Sequence, residues 1–253
     1  MTNIILCGCG GRMGAAVYEL VKSRDDSRIV AGVDVNTSAV TTDFPVYQSI
    51  SEFTGKADVI VDFSHHTVLP SLLEYAMETG TPLVVCTTGH TDEELELMRA
   101  ASQRTAIFFS GNMSIGINLL MELCRKASET LGVAFDVEII EKHHNKKLDA
   151  PSGTALMIAN AIKDTREDTQ YVYDRHTERR QRSQSEIGIH SVRGGTIVGE
   201  HEVIFAGNNE LISISHVATS REIFAAGALR AASFMVGKPT GSYNMSDVIN
   251  QKI

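Results

Sequence analysis

The apolar run Ile4-Ile5-Leu6-Cys7 stops at Gly8-Cys9-Gly10-Gly11-Arg12-Met13-Gly14, and an amphipathic stretch to about Lys22 begins at once. A glycine loop between a buried strand and a helix constrains the fold strongly. It turns the chain tightly and presents unpaired backbone N–H groups at a helix start, where a pyrophosphate can sit. The spacing departs from G-x-G-x-x-G, since Met13 holds the sixth position and the glycine comes one later. The location therefore carries more of the inference than the pattern. A tight turn needing glycine dihedrals is the plainer alternative.

The next hundred residues repeat the theme. Ile29–Val33, Val59–Asp62, Leu83–Cys86 and Ala106–Phe109 are near-continuously apolar, as strands covered on both faces must be. Between them Thr67–Thr79 and Thr91–Gln103 have helical spacing, and Thr91 with Asp92, Glu93 and Glu94 makes a good helix start. The series is β-α-β, so the expected architecture is α/β, a Rossmann-type doubly wound parallel sheet. Asp34 ends the second strand roughly 20 residues past the glycine loop, where a carboxylate can accept both ribose hydroxyls of an adenosine. It would repel a 2′-phosphate, and Val35 and Asn36 offer no arginine to receive one. NADH is the expected cofactor, with NADPH admitted through Arg12. Cys86-Thr87-Thr88 and Ser110-Gly111-Asn112-Met113 end later strands and are expected to line the nicotinamide pocket.

After Ser114 the pattern changes to a helix, Ile115–Leu131, then a strand, Asp136–Glu141. Residues 165–186 are polar and without periodicity, and read as a long solvated loop or arm. Ile187–Arg193, Thr196–Ala206 and Leu211–Val217 follow with Gly194-Gly195 and Gly207-Asn208-Asn209 between them, which reads as an antiparallel meander. The closing helix, Arg221 to about Val236, is rich in alanine and glycine. Two domains are expected: 1–113, with 221–253 returning to it, binds the dinucleotide; 114–220, α+β with a mixed, largely antiparallel sheet, binds substrate and carries oligomer contacts.

Composition narrows the function. The chain has 253 residues, 43% hydrophobic, with a formal net charge of −8, enough for a proper core and opposed to a general nucleic-acid binder. No stretch reads as a signal or a membrane span, so no membrane partner and a cytoplasmic location are expected. Cys7, Cys9, Cys86 and Cys124 lack paired C-x-x-C spacing, and neither disulfides nor zinc are expected.

Against that acidic background stands "EKHHNKKLDAPSGTA", residues 141–155. Ser152 is a natural N-cap for the apolar run that follows, so Gly153 and Thr154 lie at the positive end of a helix dipole. Lys142, His143, His144, Lys146 and Lys147 supply cationic donors a few residues earlier. Two separated anionic groups could be held at both ends, which suggests a small dicarboxylate. Adjacent histidines on an extended segment point to opposite faces, so His143 and His144 make a poor metal pair, and no metal is expected. Ser152 lacks the elbow of a nucleophilic serine.

G-x-G-G-R-M-G together with E-x-H-H-x-x-K-x-D-A-P-S-G-T-A resembles the dihydrodipicolinate reductase family, also called 4-hydroxy-tetrahydrodipicolinate reductase, and the likeness extends through "RGGTIVGEHEV" at 193–203 to the closing helix. The resemblance implies NAD(P)H-dependent reduction of the cyclic dicarboxylate 4-hydroxy-tetrahydrodipicolinate to tetrahydrodipicolinate, with loss of water, toward diaminopimelate and lysine. It implies a homotetramer joined through sheets of the second domain. It makes His143 the acid/base residue and Lys147 a proton donor, with the choice between them open. It makes His144, Gly153 and Thr154 substrate contacts, beside the cap Ser152. It assigns nucleotide contacts to Gly8, Cys9, Gly10, Gly11, Arg12, Met13, Asp34, Cys86, Thr87, Thr88, Ser110, Gly111, Asn112 and Met113. Val35 stands where many members carry arginine, against a strong NADPH preference. A different nicotinamide-dependent reductase of two-domain layout, or a dinucleotide sensor without catalysis, is the alternative; a sensor has no need of His143 and Lys147.

Overall fold

A computed structural model describes residues 1–37, 40–177 and 179–251. The chain forms two compact units, Met1–Ile115 with the segment that begins at Glu222, and Gly116–Arg221. In the first unit the strands are β1 (Thr2–Cys7), β2 (Ser27–Val33), β3 (Val46–Tyr47), β4 (Val59–Asp62), β5 (Leu83–Val85), β6 (Ala106–Phe109) and, from the C-terminal segment, β12 (Gly241–Tyr243). They make one sheet in the order β12-β6-β5-β4-β1-β2-β3, with every pair parallel. From β1 the chain winds outward through β2 and β3, then returns to β4 on the other side of β1. That reversal creates the crevice where such sheets take ligands.

The continuous apolar runs have a structural cause, because alternate residues serve two cores. Ile4, Leu6, Val59, Val61, Val84 and Phe108 pack on one face with Val17 and Val21 of α1 (Arg12–Lys22) and with Ala228, Leu229 and Ala232 of α6 (Glu222–Met235). Ile5, Cys7, Ile60, Leu83, Val85 and Ile107 pack on the other with Leu69, Leu72 and Leu73 of α2 (Leu69–Thr79) and Met98 of α3 (Asp92–Ala101). α3 starts in the expected way: Thr91 accepts from the amide of Glu94, whose carboxylate accepts from the amide of Thr91. The short strands β3 and β12 and the terminal helix α7 (Met245–Asn250) lie outside the sequence expectations.

The second unit holds α4 (Ile115–Leu131), β7 (Asp136–His143), α5 (Gly153–Lys163), β8 (Gln170–Val172), β9 (Glu186–Arg193), β10 (Gly199–Ala206) and β11 (Leu211–Ala218). Its sheet runs β11-β10-β7-β9-β8. The strands from 187 to 217 are not the antiparallel meander expected. Among the described residues only β10 and β11 form an antiparallel neighbour pair of consecutive strands, while β7 lies between β9 and β10, parallel to the first and antiparallel to the second. The glycines at 194–195 therefore carry the chain past the end of β7. Leu120 and Cys124 of α4 and Ile158 and Ile162 of α5 cover one sheet face, over Val137, Ile139, Ile187, Ile189, Val203 and Phe205.

Among the described residues of 165–186 most are exposed, as a solvated loop or arm should be, but the segment is also tied to the sheet. β8 pairs with β9, and the Arg166 guanidinium donates to Ser128 Oγ at 2.8 Å and to the carbonyls of Phe135 and Gly132. Arg175 bridges Glu138 and Glu186 at 2.6 Å each, and Arg182 pairs with Asp136. Arg175 and Arg182 of this segment thus tie down carboxylates on the sheet's second face. Among the described residues no helix is long and apolar enough to cross a membrane.

Candidate active site

In the first unit the loops after β1, β4, β5 and β6 share the carboxyl edge of the sheet. Gly8 has φ +74, and a Cβ there would stand 2.5 Å from the carbonyl oxygen of Phe63. A Cβ on Gly14 would lie 2.2 Å from the carbonyl oxygen of Gly8, so both glycines are required for the loop to close on β4 and α1 to close on the loop. Gly11 is the N-cap of α1 and gives no side-chain hydrogen bond, which leaves the helix start with amides to offer an anion. Asp34 follows β2; its carboxylate accepts from the amides of Gly10 at 2.9 Å and Asn36 at 3.0 Å. A cleft of about 350 Å³ opens beside these groups, lined by Gly8, Gly11, Asp34 and Val35 and by Gln48, Ser49, Ser64 and His65. The cradle and the cleft fit a dinucleotide.

The other expected nucleotide residues divide by what their side chains do. Cys9, Cys86 and Met113 turn their side chains into the core, so only their backbones are at a loop surface. Arg12, Thr88 and Gly111 are exposed, and Met13 packs partly against the core. Thr87 is buried and donates to Asp62 Oδ2 at 2.7 Å, while Ser110 Oγ donates to the carbonyl of Asn112 at 2.8 Å. Asn112 Oδ1 accepts from the amide of Ser114. Asp62 itself is 1% exposed, and burial pushes its carboxyl up against the hydrogen bonds from Ser64 and Thr87. Gln48, Ser49, Ser64, His65 and Asp62 were not foreseen. The signal for Asp62 was present, a carboxylate closing an otherwise apolar strand.

In the second unit β7 delivers Glu141 and His143 to the face it shares with α5, since residues two apart on a strand point the same way. Lys142 points to the other face and pairs with Glu200 at 2.9 Å. The five-residue cation cluster is thereby split by the strand's own period. Glu141 is fully buried. Its carboxylate accepts from Arg193 Nη2 at 2.6 Å and Nη1 at 2.7 Å, from His143 Nδ1 at 2.6 Å and from the amide of Ser152 at 3.1 Å. Burial pushes this carboxyl up, but the Arg193 fork and His143 outweigh it and bring it down to about 2. Burial pushes the His143 imidazole down; Glu141 opposes that, and Lys147 and Arg193 add to it.

Ser152 caps α5 as expected, its Oγ accepting from the amide of Ala155 at 3.1 Å. The same hydroxyl lies 3.0 Å from Nε2 of His201, whose ring meets that of His143 edge to face at 5.3 Å. Gly153 and Thr154 form the first turn of α5. Lys147 is not surrounded by cations alone: its Nζ lies 2.9 Å from Asp149. His144 follows β7, and its Nδ1 is buried without a hydrogen-bond partner among the described residues. Lys146 is exposed. The turn is held by the amide of Gly194 donating to the carbonyl of His143 and that of Asn145 to Gly195. Glu141, Arg193 and His201 were not among the residues the sequence suggested. Arg193 opens a quoted motif and His201 lies near its end, but nothing local ties them to Glu141.

Residues 2–113 match the family described as dihydrodipicolinate reductase, N-terminus, and residues 116–249 match dihydrodipicolinate reductase, C-terminus. The 4-hydroxy-tetrahydrodipicolinate reductase of Caldanaerobacter subterraneus subsp. tengcongensis is 51% identical over 252 residues, 99% of each chain. That of Clostridium tetani is 50% identical over 251 residues, 99% of this chain and 98% of the relative. Among solved structures, dipicolinate-bound dihydrodipicolinate reductase from Paenisporosarcina sp. TG-14 superposes with a TM-score of 0.79 at 25% identity, over 96% of this chain and 97% of that one. With both halves matched and half of all residues shared across nearly the full length, the chain belongs to the dihydrodipicolinate reductase family.

Proposed function

We propose that this protein is an oxidoreductase that reduces 4-hydroxy-tetrahydrodipicolinate to tetrahydrodipicolinate, with loss of water, in the diaminopimelate branch of lysine biosynthesis. The observation that carries the reading is local. A buried imidazole, a lysine and the capped start of a helix gather around one end of β7, within a chain that matches the reductase family in both halves. A ring with two carboxylates needs separate anion sites, and the first turn of α5 at Ser152, Gly153 and Thr154 offers one while His144 offers another.

A reduced nicotinamide, when bound, would supply the hydride, and the electron density displaced onto the substrate's conjugated imine would require a proton. His143 or Lys147 delivers it. In the first unit the glycine loop from Gly8 to Met13 receives the pyrophosphate on α1, and Asp34 receives the adenosine ribose. The loops at 86–88 and 110–113 flank the nicotinamide. NADH is the preferred donor, because the Asp34 carboxylate repels a 2′-phosphate and the neighbouring Val35, 81% exposed, cannot bind one. NADPH is used less well. The enzyme works in the cytoplasm as a homotetramer joined through the sheets of the second unit.

The test follows nicotinamide absorbance with substrate generated by the preceding synthase, using each cofactor in turn. Turnover with NADH is expected; nucleotide binding without turnover would instead favour a sensor. Lys147→Ala should lower kcat about 10²-fold, the scale of a lost general acid, with NADH binding retained. Unchanged kcat would remove Lys147 from the proton step.

A further inference from the structure

We infer that Glu141 is a positioning carboxylate: gripped by the Arg193 guanidinium and the Ser152 amide, it holds the His143 imidazole by Nδ1, so that Nε2 is the nitrogen that exchanges a proton. This rests on the reductase reading and adds to it residues that reading does not assign.

Four observations lead there. Glu141 is 0% exposed, and a carboxylate in such a place must have its lone pairs filled; here the fork of Arg193, the ring of His143 and the amide of Ser152 fill them. Because the carboxylate accepts at Nδ1, the neutral ring carries its proton there and keeps its lone pair at Nε2. The ring's far end is also kept clear: a Cβ on Gly199 would stand 3.2 Å from His143 Nε2, closer than side chains ordinarily pack. Finally, Ser152 both donates its amide to Glu141 and caps α5. One carboxylate thus fixes the imidazole and the anion-binding helix start in a single frame. The β7–β9 register places Arg193 opposite His143, which brings the guanidinium to Glu141 from the neighbouring strand.

The groups facing the imidazole are Glu141 from its own strand, Arg193 from β9, His201 from β10 and Lys147 from the following turn. Of these charges only Glu141 favours the imidazolium. Glu141→Gln puts an amide NH₂ or a weaker acceptor against Nδ1 and removes that support.

The experiment has three arms. In Glu141→Gln, kcat should fall about 10²-fold, the scale of impaired general acid–base catalysis, with KM for the substrate changed far less. NMR titration of the His143 ring, without cofactor or substrate, should move to lower pH. The double variant Glu141→Gln with His143→Ala should be no slower than His143→Ala alone, because a group acting through His143 has nothing left to position. A double variant slowed by the product of the two single effects, or an unmoved His143 titration, overturns the inference. Should Glu141→Gln not fold, Gly199→Ala decides, since it covers Nε2 and leaves the carboxylate intact. Lower kcat with nucleotide affinity retained supports the assignment, and unchanged kcat sinks it. Absence of turnover in the wild-type protein would overturn the reductase reading alone, because the ring titration tests the Glu141–His143 link without it.

Discussion

Ser152 should be among the most sensitive positions of the second unit, and two variants can separate its tasks. Its hydroxyl accepts from the amide of Ala155 and meets Nε2 of His201 at 3.0 Å, in a residue 2% exposed. Ser152→Ala removes both. Loss of an N-cap costs about 1 kcal/mol, and leaving a buried imidazole nitrogen unpaired costs about 1–2 kcal/mol more. The expected loss is about 2–3 kcal/mol. Ser152→Gly leaves His201 equally unpaired, but glycine is a fair N-cap, so it should be milder by roughly 1 kcal/mol. Urea unfolding followed by far-ultraviolet circular dichroism, at one fixed protein concentration, measures both; the chain has no tryptophan to report by fluorescence. Equal losses in the two variants would refute the cap. Losses below about 0.5 kcal/mol in both would refute the His201 contact as well.

Stability should fall on mild acidification. Burial, aided by His143, pushes the His201 imidazole down to about 4 from its ordinary 6.5. Protons therefore bind the unfolded chain first, and stability is full above 6.5 and lost toward 4, by about 3 kcal/mol in all. His143 and His216 are depressed too and act with the same sign. Glu141, held down at about 2, gives stability that fades only below its ordinary 4.5, and Asp62, raised by burial, acts with the opposite sign, so the histidine share is read from the difference between wild type and variant. His201→Asn should flatten that slope, and an unaltered slope counts against the assignment. Gly227→Ala in α6 should destabilise the first unit by about 3 kcal/mol, because its Cβ would stand 1.7 Å from the backbone carbonyl oxygen of Met113; a thermal melt near wild type would contradict the packing. Asp34→Ala should narrow the preference for NADH over NADPH, and identical kinetic ratios before and after would show that Asp34 does not read the ribose.

What was legible in the sequence was local. Val59–Asp62 and Ala106–Phe109 read as strands because two cores cover them, and Thr91 and Ser152 read as caps because capping spans three or four residues. β3 and β12, of two and three residues, are too short to carry a pattern. β8 was hidden by its charged surroundings, which a composition argument assigns to solvent and the fold assigns to Glu138, Glu186 and Asp136. The insertion of β7 between β9 and β10 could not be read from turns, since the glycines at 194–195 suit a hairpin and a crossing equally well. In the site, the glycine loop, Asp34 and Ser152 were visible. The Arg193–Glu141 pair joins residues 52 apart and appears only with the strand register. Lys142 is different: alternation along a strand was enough to separate it from His143.

That alternation also explains how one strand serves two polar systems. Along β7 the odd-numbered residues pass from Val137 and Ile139 in the core to Glu141 and His143 at the site. The even-numbered ones meet Arg182, Arg175 and Glu200 through Asp136, Glu138 and Lys142 on the opposite face. A slip of one residue would exchange the two sets, burying Asp136 and Glu138 among Ile158, Ile187 and Phe205 and turning His143 outward. No such register could survive the cost of unpaired buried carboxylates. The ion pairs on the second face therefore do more than add surface charge. They penalise a one-residue slip of β7 away from the pairing that brings Glu141 under Arg193, and in that sense the charged segment at 165–186 helps hold the active-site histidine in place.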